Sequence, residues 1–132
     1  MYGSRPQMAF GLSRYTSLRS VDRATRRLRS RRGSRRTGRA LQLALNRLFR
    51  RSRKKRVLIV VTTGQSADSI RVPTLQIHRA GIEVFAVGVG TRVRNSELSA
   101  IATGPRHIYM VTFKTINSAV KSITRKACKG IR

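Results

Sequence analysis

The stretch most able to carry chemistry is "VLIVVTTGQS", residues 57–66, where an apolar run meets a group of hydroxyls. The run is short and rich in β-branched residues, so it predicts a strand buried on both faces of a parallel sheet. Ligands of such sheets usually bind at the loops that leave the carboxyl ends of the strands. Here that loop offers Thr62, Thr63 and Ser66, which supply neutral oxygens rather than carboxylates. The sequence therefore marks a candidate site whose chemistry has to be identified.

Catalytic groups are scarce in the chain. Only four acids are present, and the nearest two are 14 positions apart, so a carboxylate pair for acid/base work is not expected: Asp22, Asp68, Glu83 and Glu97. His78 and His107 are isolated and lack metal-ligand spacing, which is typical of ordinary surface or half-buried histidines. Ser66 has no histidine near it in sequence, and the single cysteine, Cys128, cannot form an internal disulfide. We expect no catalytic residues and no enzymatic activity.

The charge balance points to an anionic partner. The 132 residues are enough for one domain with a real core, and they carry 30 Lys and Arg against four acids, a net charge of +26. Nineteen of the basic residues lie in 1–56. Such a balance favours nucleic acid, a sulfated polysaccharide, an acidic protein or an anionic membrane surface as partner. No apolar run approaches the roughly 20 residues of a membrane span, and the amino terminus lacks the apolar core of a signal peptide.

Hydrophobic periodicity predicts an alternating order of elements. We expect an irregular segment at 1–7, a short strand at 8–15, amphipathic helices at 20–30 and 38–51, and a charged connection at 51–56. Beyond it the predicted order is strand, helix, strand, helix, strand, helix: 57–62, 69–80, 82–90, 95–103, 107–111 and 115–127. Strands that alternate with helices of this length indicate an α/β fold with a parallel sheet covered on both faces.

Four blocks of the sequence, in this order and spacing, resemble the von Willebrand factor type A domain. They are "GRALQLALNRLF", "KRVLIVVTTGQSADSI", "RAGIEVFAVGVG" and "ELSAIATGPRHIYMV". The kind of domain found in collagens and matrilins is the most similar, and the resemblance covers 8–128, leaving 129–132 as a tail. It implies a doubly wound, mostly parallel sheet flanked by helices in three αβα layers, here diverged and without the first strand.

The resemblance also implies a divalent cation at the top of the sheet, held by an Asp-x-Ser-x-Ser loop, a threonine and an aspartate. The Asp-x-Ser-x-Ser loop is absent from this chain. Arg35 stands at the position that resembles the metal threonine, and Thr63 at the position that resembles the aspartate. A hard cation such as Mg²⁺ needs oxygen ligands that include carboxylates. We therefore expect a degenerate metal site and no metal or other cofactor.

The absent first strand leaves three arrangements open. The segment 8–15, similar to the family's second strand, pairs with 57–62, or the sheet keeps an unfilled gap, or 8–17 is a degenerate first strand that places Ser13, Tyr15 and Ser17 over the metal loop. In extracellular members a cysteine at the position of Cys128 usually pairs with one just before the first strand, which this chain lacks. The chain is thus interpreted as a truncated or diverged member.

Basic density is highest from Arg19 to Arg56, where 17 of 38 residues are Lys or Arg. A solvated face is one interpretation, but like charges at i, i+4 destabilise a helix, and an anionic ligand would relieve that cost. The predicted polyanion-binding residues are Arg26, Arg27, Arg29, Arg31, Arg32, Arg35, Arg36, Arg50, Arg51, Arg53, Lys54 and Lys55.

Two anionic ligand classes remain. The resemblance favours a sulfated glycosaminoglycan such as heparan sulfate, or matrix proteins, for a secreted adhesion module that is part of a longer parent. Composition alone favours nucleic acid, but no tryptophan is present and Phe10, Tyr15 and Phe49 do not alternate with the basic run as stacking platforms do.

Overall fold

The structure is a computed structural model that describes residues 3–30, 32–50 and 53–129. Three strands form one sheet in the order β1-β2-β3. The elements, in chain order, are α1 Leu18–Arg26, α2 Thr37–Leu43, a π-helical turn Ala44–Leu48, β1 Val57–Thr62, α3 Arg71–Arg79, β2 Glu83–Val89, α4 Asn95–Ile101, a 3-10 turn Pro105–His107, β3 Ile108–Val111 and α5 Ile116–Cys128. Among the helices of these described ranges, none is long and apolar enough to cross a membrane.

Both strand pairs are parallel, as the alternating order predicted. β1 pairs with β2 from Val57 opposite Glu83 to Thr62 opposite Gly88. β3 pairs with the second half of β2, ending with Val111 opposite Val89. The carboxyl ends of the three strands therefore lie at one end of the sheet, called here the top, and their amino ends lie at the bottom.

Helices cover the two faces of the sheet unequally. On one face, Leu41 of α2, Ile77 of α3 and Leu98 of α4 pack in one cluster with Val60 and Val84. On the other face, α5 packs through Ala119 and Ile123 against Phe85, Val87 and Val89 of β2. The predicted three-layer α/β architecture is confirmed, with β2 in the centre and buried along nearly its whole length.

The predicted elements from residue 57 onward are confirmed to within two residues at most ends. Pro73 lies in the first turn of α3, where a missing backbone N–H costs nothing. Gly81 follows that helix with φ +70°, the left-handed conformation that glycine adopts most readily at a helix end.

The predicted strand at 8–15 is wrong. This segment forms turns and bends, with a hydrogen bond from Arg14 N to Gly11 O at 3.2 Å. Phe10 and Tyr15 pack edge to face with ring centroids 5.1 Å apart, so their apolar surface is used within the segment. The sheet thus gains no fourth strand from 8–17, whether as a second strand beside β1 or as a degenerate first strand.

The helix predicted at 20–30 is shorter and begins earlier. Ser17 caps α1 by accepting a hydrogen bond from Ser20 N at 3.2 Å, and the helix ends at Arg26. None of its residues is buried, because the apolar positions are too few to compensate for the surrounding arginines. Leu28, expected on the inner face of this helix, lies beyond its end.

The helix predicted at 38–51 changes character half-way. α2 is followed by a π-helical turn, closed by a hydrogen bond from Phe49 N to Ala44 O at 3.2 Å. Leu41 and Phe49 are buried, and Leu45 and Leu48 pack against the same cluster, so the predicted apolar stripe is confirmed. Residue 51 lies outside the described residues.

The prediction that 57–62 is buried on both faces is wrong. Val60 and Thr62 are buried, whereas the side chains of Ile59 and Val61 are 49% and 47% exposed. β1 has β2 on one side and no strand on the other within the described ranges. The cluster formed with α5 reaches β1 at Val57, whereas Ile59 and Val61 on the same face of β1 stay exposed.

The amino ends of the strands are joined by a charged group at the bottom of the sheet. Glu83 Oε2 forms an ion pair with Lys55 Nζ at 2.8 Å, and its Oε1 lies 2.9 Å from His107 Nε2. The hydrogen bond from Lys55 lowers the pKa of Glu83; burial opposes this effect, and the contact with His107 adds to it. The carboxylate thus connects the residues before β1, the start of β2 and the start of β3.

We predict that Phe85→Ala lowers the free energy of unfolding by about 3–5 kcal/mol, because it removes a fully buried ring and leaves a cavity. The matched control is Phe113→Ala, whose ring is 76% exposed and whose loss should change stability by no more than about 0.5 kcal/mol. Urea unfolding followed by circular dichroism measures both. Equal effects of the two substitutions would contradict the assignment of the core.

We predict that Glu83→Gln makes stability less sensitive to acid. A carboxylate with a lowered folded-state pKa stabilises the fold above its ordinary value of 4.5, and this contribution is lost as the pH falls through the lowered value. The variant should be less stable than the parent at neutral pH and should approach it in acid. Urea unfolding across this pH range tests the prediction, with Asp22→Asn at an exposed ion pair as control. A constant difference at every pH would refute it.

Candidate functional site

The loop after β1 is closed by its own threonine. Thr62 Oγ1 donates to Gly64 O at 2.9 Å and accepts from Gly64 N at 3.4 Å. This turn buries Thr62 and Gly64 and leaves the side chain of Thr63 exposed at the top of the sheet. Thr63 is thus accessible to solvent, as its position in a candidate site requires.

Ser66 connects the loop to two helices. Its Oγ donates to Asp68 Oδ1 at 2.7 Å and accepts from Thr37 N at 3.1 Å at the start of α2. Its backbone N–H donates to both carboxylate oxygens of Glu97 on α4, each at 3.0 Å. The Ser66 hydroxyl bonds a carboxylate and a backbone amide. It therefore holds the loop in place and is not arranged as a nucleophile.

Asp68 holds the beginning of α2 against the loop. Its Oδ1 accepts from Gly38 N at 2.8 Å and its Oδ2 accepts from Arg39 N at 2.9 Å. Partial burial raises the pKa of Asp68, but the hydrogen bonds from Ser66, Arg39 and Gly38 outweigh it and leave the pKa below its ordinary value. The carboxylate is therefore already engaged by three protein donors.

Arg35 lies directly against this loop. A Cβ built on Gly64 would approach Arg35 Nη2 to 2.5 Å, so the guanidinium packs on the glycine backbone next to Thr63. Arg35 Nε is buried and has no hydrogen-bond partner, and the side chain forms no ion pair within the described ranges. The two positions singled out by sequence, Arg35 and Thr63, are thus neighbours in space, with a positive charge beside a neutral oxygen.

The histidines and the cysteine lie away from this loop. His78 Nε2 is 2.9 Å from Ile101 O, and His107 contacts Glu83 at the bottom of the sheet. Cys128 is exposed at the end of α5. In the described part of the chain, no group of three or more His, Cys, Asp or Glu side chains is placed to hold a metal ion.

The predicted polyanion-binding residues include members near both ends of β1. Arg35 and Arg36 lie at the top, where Arg35 O accepts from Ala67 N at 2.6 Å. Lys55 lies at the bottom, bonded to Glu83, and Arg53 and Lys54 are exposed just before it. β1 separates the two ends, and six residues at about 3.3 Å each place them roughly 20 Å apart.

Five of the remaining seven residues of the set lie in the described part of the chain. Arg26 and Arg27 end α1, where Arg26 Nε donates to Asp22 Oδ2 at 2.9 Å. Arg29, Arg32 and Arg50 are exposed. Arg31 and Arg51 lie outside the described residues.

All four acids are engaged inside the molecule. Asp22 pairs with Arg26, Asp68 binds the start of α2, Glu83 pairs with Lys55 and His107, and Glu97 binds Ser66. Sequence reasoning missed the roles of Asp68 and Glu97. The spacing of Ser66 and Asp68 is the one local signal, since a serine and an aspartate two residues apart are typical of a capped turn.

Comparison with known proteins places the chain in a family. A sequence model of the von Willebrand factor type A domain matches residues 1–126. Human vitrin is 31% identical over 96% of this chain and 19% of its own length, and mouse matrilin-2 is 32% identical over 96% of this chain and 14% of its own. The collagen alpha-1(XXI) chain of Xenopus laevis is 33% identical over 83% of this chain and 12% of its own. The chain thus spans a fifth or less of the length of these relatives.

Solved structures agree with this result. Proximal thread matrix protein 1 from the mussel byssus, with a zinc-occupied MIDAS motif, superimposes with a TM-score of 0.89 and 26% identity. The match covers 96% of this chain and 33% of that one. Together with the parallel sheet, the two helical layers and the loop after β1, these matches show that the chain belongs to the von Willebrand factor type A domain family.

Proposed function

We propose that this domain is a non-enzymatic adhesion module of the extracellular matrix, which binds polyanions such as heparan sulfate through its basic groups and does so without a divalent cation. Relatives that include collagens, matrilin-2 and a byssal thread matrix protein support a role in the matrix. The observation that carries the polyanion proposal is the charge balance. All four acids are engaged internally, and the ion pairs of the described ranges involve only Arg26, Lys55 and His107, so most basic side chains of those ranges have no acidic partner there.

The donors at the top of the sheet do not fit a divalent cation. Mg²⁺ is bound through one or two carboxylates together with other oxygen ligands. Asp68 and Glu97, the carboxylates at this end, accept hydrogen bonds from backbone amides, and the Arg35 guanidinium lies beside Thr63. A cation there would meet a positive charge and no free carboxylate.

The distance between the two basic groups determines how long an anion must be to contact both. A small anion can contact either the group at the top, Arg35 and Arg36, or the group at the bottom, Arg53 and Lys54. Because the groups are roughly 20 Å apart, only an extended polyanion contacts both at once. This supports a sulfated polysaccharide chain over a monovalent ligand.

Nucleic acid is the competing polyanion and rests on charge alone. Phe10 and Tyr15 pack on each other, and Arg14 lies over the Tyr15 ring with its Cζ 5.7 Å from the centroid. These rings are therefore occupied within the chain and do not form a row on which bases stack.

We predict that Arg53→Ala with Lys54→Ala weakens binding of a heparin octasaccharide about fivefold to tenfold at about 0.15 M salt, because each exposed charge pair contributes up to about 1 kcal/mol. The matched control is Lys114→Ala with Lys121→Ala, two exposed basic residues outside the predicted set. Isothermal titration calorimetry measures both variants. An equal loss in the control pair would mean that net charge, rather than the predicted residues, determines binding.

A duplex DNA oligonucleotide in the same titration decides between the two polyanions. Tighter binding of DNA than of heparin, at matched salt, would favour the nucleic-acid alternative.

We predict that 10 mM Mg²⁺ leaves the melting temperature unchanged, and that Thr63→Asp alone creates no site because Arg35 pairs with the new carboxylate. A ligand at about ten times its Kd stabilises a fold by about 1.4 kcal/mol, which raises Tm by several degrees. Thermal melts at matched ionic strength, with NaCl as control, therefore detect a Kd of about 1 mM or tighter. Such an affinity in the unchanged chain would overturn the loss of the metal site.

A further inference from the structure

We propose that Arg35 and Thr63 form a binding site for a carboxylate supplied by an acidic side chain of a partner protein. The Arg35 guanidinium then provides the positive charge at the end of the sheet where the resemblance implies a metal ion. The proposal rests on the metal-independent module proposed above and names the ligand chemistry of its top loop. A guanidinium is planar and always charged, and its N–H groups match the two oxygens of a carboxylate.

The first observation is the way in which the Arg35 head group is held. Its Nε, Cζ and Nη2 atoms lie at nearly equal distances, 2.8, 2.7 and 2.5 Å, from a Cβ built on Gly64. The plane of the guanidinium therefore lies against the glycine backbone, in space that any side chain at position 64 would occupy. Packing thus holds the charge next to Thr63, the neighbour of Gly64 in the loop after β1.

The second observation is that the protein supplies no acceptor to this guanidinium. Arg35 is half-buried, and its Nε is buried without a hydrogen-bond partner. In the described part of the chain Nη1 and Nη2 are also unbonded, but unlike Nε they keep contact with solvent. A half-buried charge without a counter-charge has an unfavourable solvation energy, and an external anion that accepts from its free N–H groups relieves this cost.

The carboxylates at the top of the sheet do not provide that anion. Asp68 accepts from two backbone amides of α2, and Glu97 accepts from a backbone amide of the loop. Among the ion pairs of the described ranges, none joins Arg35 to either acid. Arg92 and Arg94 are exposed in the segment between β2 and α4 and add positive charge at the same end. A carboxylate from a partner is therefore attracted to this end of the domain.

Thr63 supplies a second donor beside the guanidinium. Its side chain is exposed, whereas the hydroxyl of Thr62 is engaged with the backbone of Gly64. A threonine hydroxyl donates one hydrogen bond. One guanidinium and one hydroxyl suit a single carboxylate, which is more basic than a sulfate ester and accepts charged hydrogen bonds more strongly. The site thus favours an acidic side chain over one sulfate group of a polysaccharide.

The test is a nuclear magnetic resonance titration of the full, ¹⁵N-labelled chain with the peptide acetyl-Gly-Glu-Gly-amide. The control peptide carries glutamine in place of glutamate, so it has the same shape without the charge. We expect the glutamate peptide to bind at least about fivefold more tightly and to move the signals of Arg35 Nε–H and the Thr63 amide. Equal binding of the two peptides would overturn the proposal.

An arginine-to-lysine pair separates a specific site from attraction by net charge. Arg35→Lys keeps the charge but removes the planar fork, so it should weaken the glutamate peptide about fivefold to tenfold. The matched control is Arg92→Lys, at an exposed side chain, which should change binding less than about twofold. An unchanged affinity in Arg35→Lys would assign the binding to net charge and overturn the proposal.

A glycine-to-alanine pair tests the position of the guanidinium. Gly64 has no positive φ, so alanine fits its backbone, but the added Cβ displaces the Arg35 head group. We expect Gly64→Ala to weaken the glutamate peptide about fivefold. Gly11→Ala is the control, because a Cβ there meets no atom of the described residues within 4 Å. Equal affinities of these two variants would contradict the proposed site.

Circular dichroism checks that each variant folds. If Arg35→Lys and Gly64→Ala both unfold, the unchanged chain decides. The glutamate peptide must then move the Arg35 Nε–H signal more than that of Arg92, and equal movement of the two signals would overturn the proposal.

The source of the anion and the two proposals are distinguishable. Methyl sulfate that binds at Arg35 more tightly than the glutamate peptide would assign the site to sulfate esters and overturn the carboxylate site. Heparin binding together with equal binding of the two peptides would overturn this site and leave the polyanion proposal standing. Glutamate-specific binding at Arg35 without heparin binding would support this site and overturn the polyanion proposal.

Discussion

A parallel sheet is stable in water only when its faces are covered, and this fold meets that requirement fully at β2 and partly at β1. Phe85, Val87 and Val89 are covered by α5, and Val84 and Ala86 are covered by the helices of the opposite face. The β1 edge depends instead on 6–10 and on the π-helical turn, which leave a groove between them. The exposure of Ile59 follows from this incomplete cover.

At the top of the sheet, the loop after β1 is held in place by two carboxylates that accept hydrogen bonds from the protein. Ser66, Asp68 and Glu97 use hydrogen bonds to fix the loop after β1 against α2 and α4. In the related domains the resemblance implies a cation at this end, and here a guanidinium lies on Gly64. A cation is mobile and concentration-dependent, whereas Arg35 is covalently part of the chain. The proposal of a metal-independent module therefore predicts that interactions at this end of the domain do not depend on metal supply.

The sequence predicted those elements correctly whose apolar pattern is matched by a neighbouring element that packs against it. The β-branched runs at 57–62 and 82–90 and the periodic helix 116–128 follow from local pattern, because their apolar residues meet one another in the core. The pattern at 8–15 is equally apolar, but a strand needs a neighbour in register, and Gly11 allows a turn that directs Phe10 onto Tyr15 instead. The exposure of Ile59 was not predictable either, since a periodicity shows which side chains are apolar and not whether a helix covers them.

The candidate site was predictable only in part, because contacts between residues far apart in the sequence leave no local pattern. Thr63 and Arg35 could be placed together through the resemblance, while the network of Ser66 with Thr37 joins residues 29 positions apart and has no periodic signal. The sequence did not predict that Arg35 and Lys55 lie near opposite ends of β1, because the run from Arg19 to Arg56 is continuous in sequence. In the fold, α2 and its π-helical turn carry the chain from the top of the sheet to the bottom, so continuity along the chain becomes distance in space.

The excess of basic residues affects the whole domain. With Asp22, Asp68, Glu83 and Glu97 each engaged, further neutralisation of the net charge of +26 has to come from outside the chain. Salt ions screen exposed charges but do not bind in fixed geometry, whereas an extended anion that contacts both ends of β1 lowers the repulsion within both groups at once. A polysaccharide supplies those charges along its length.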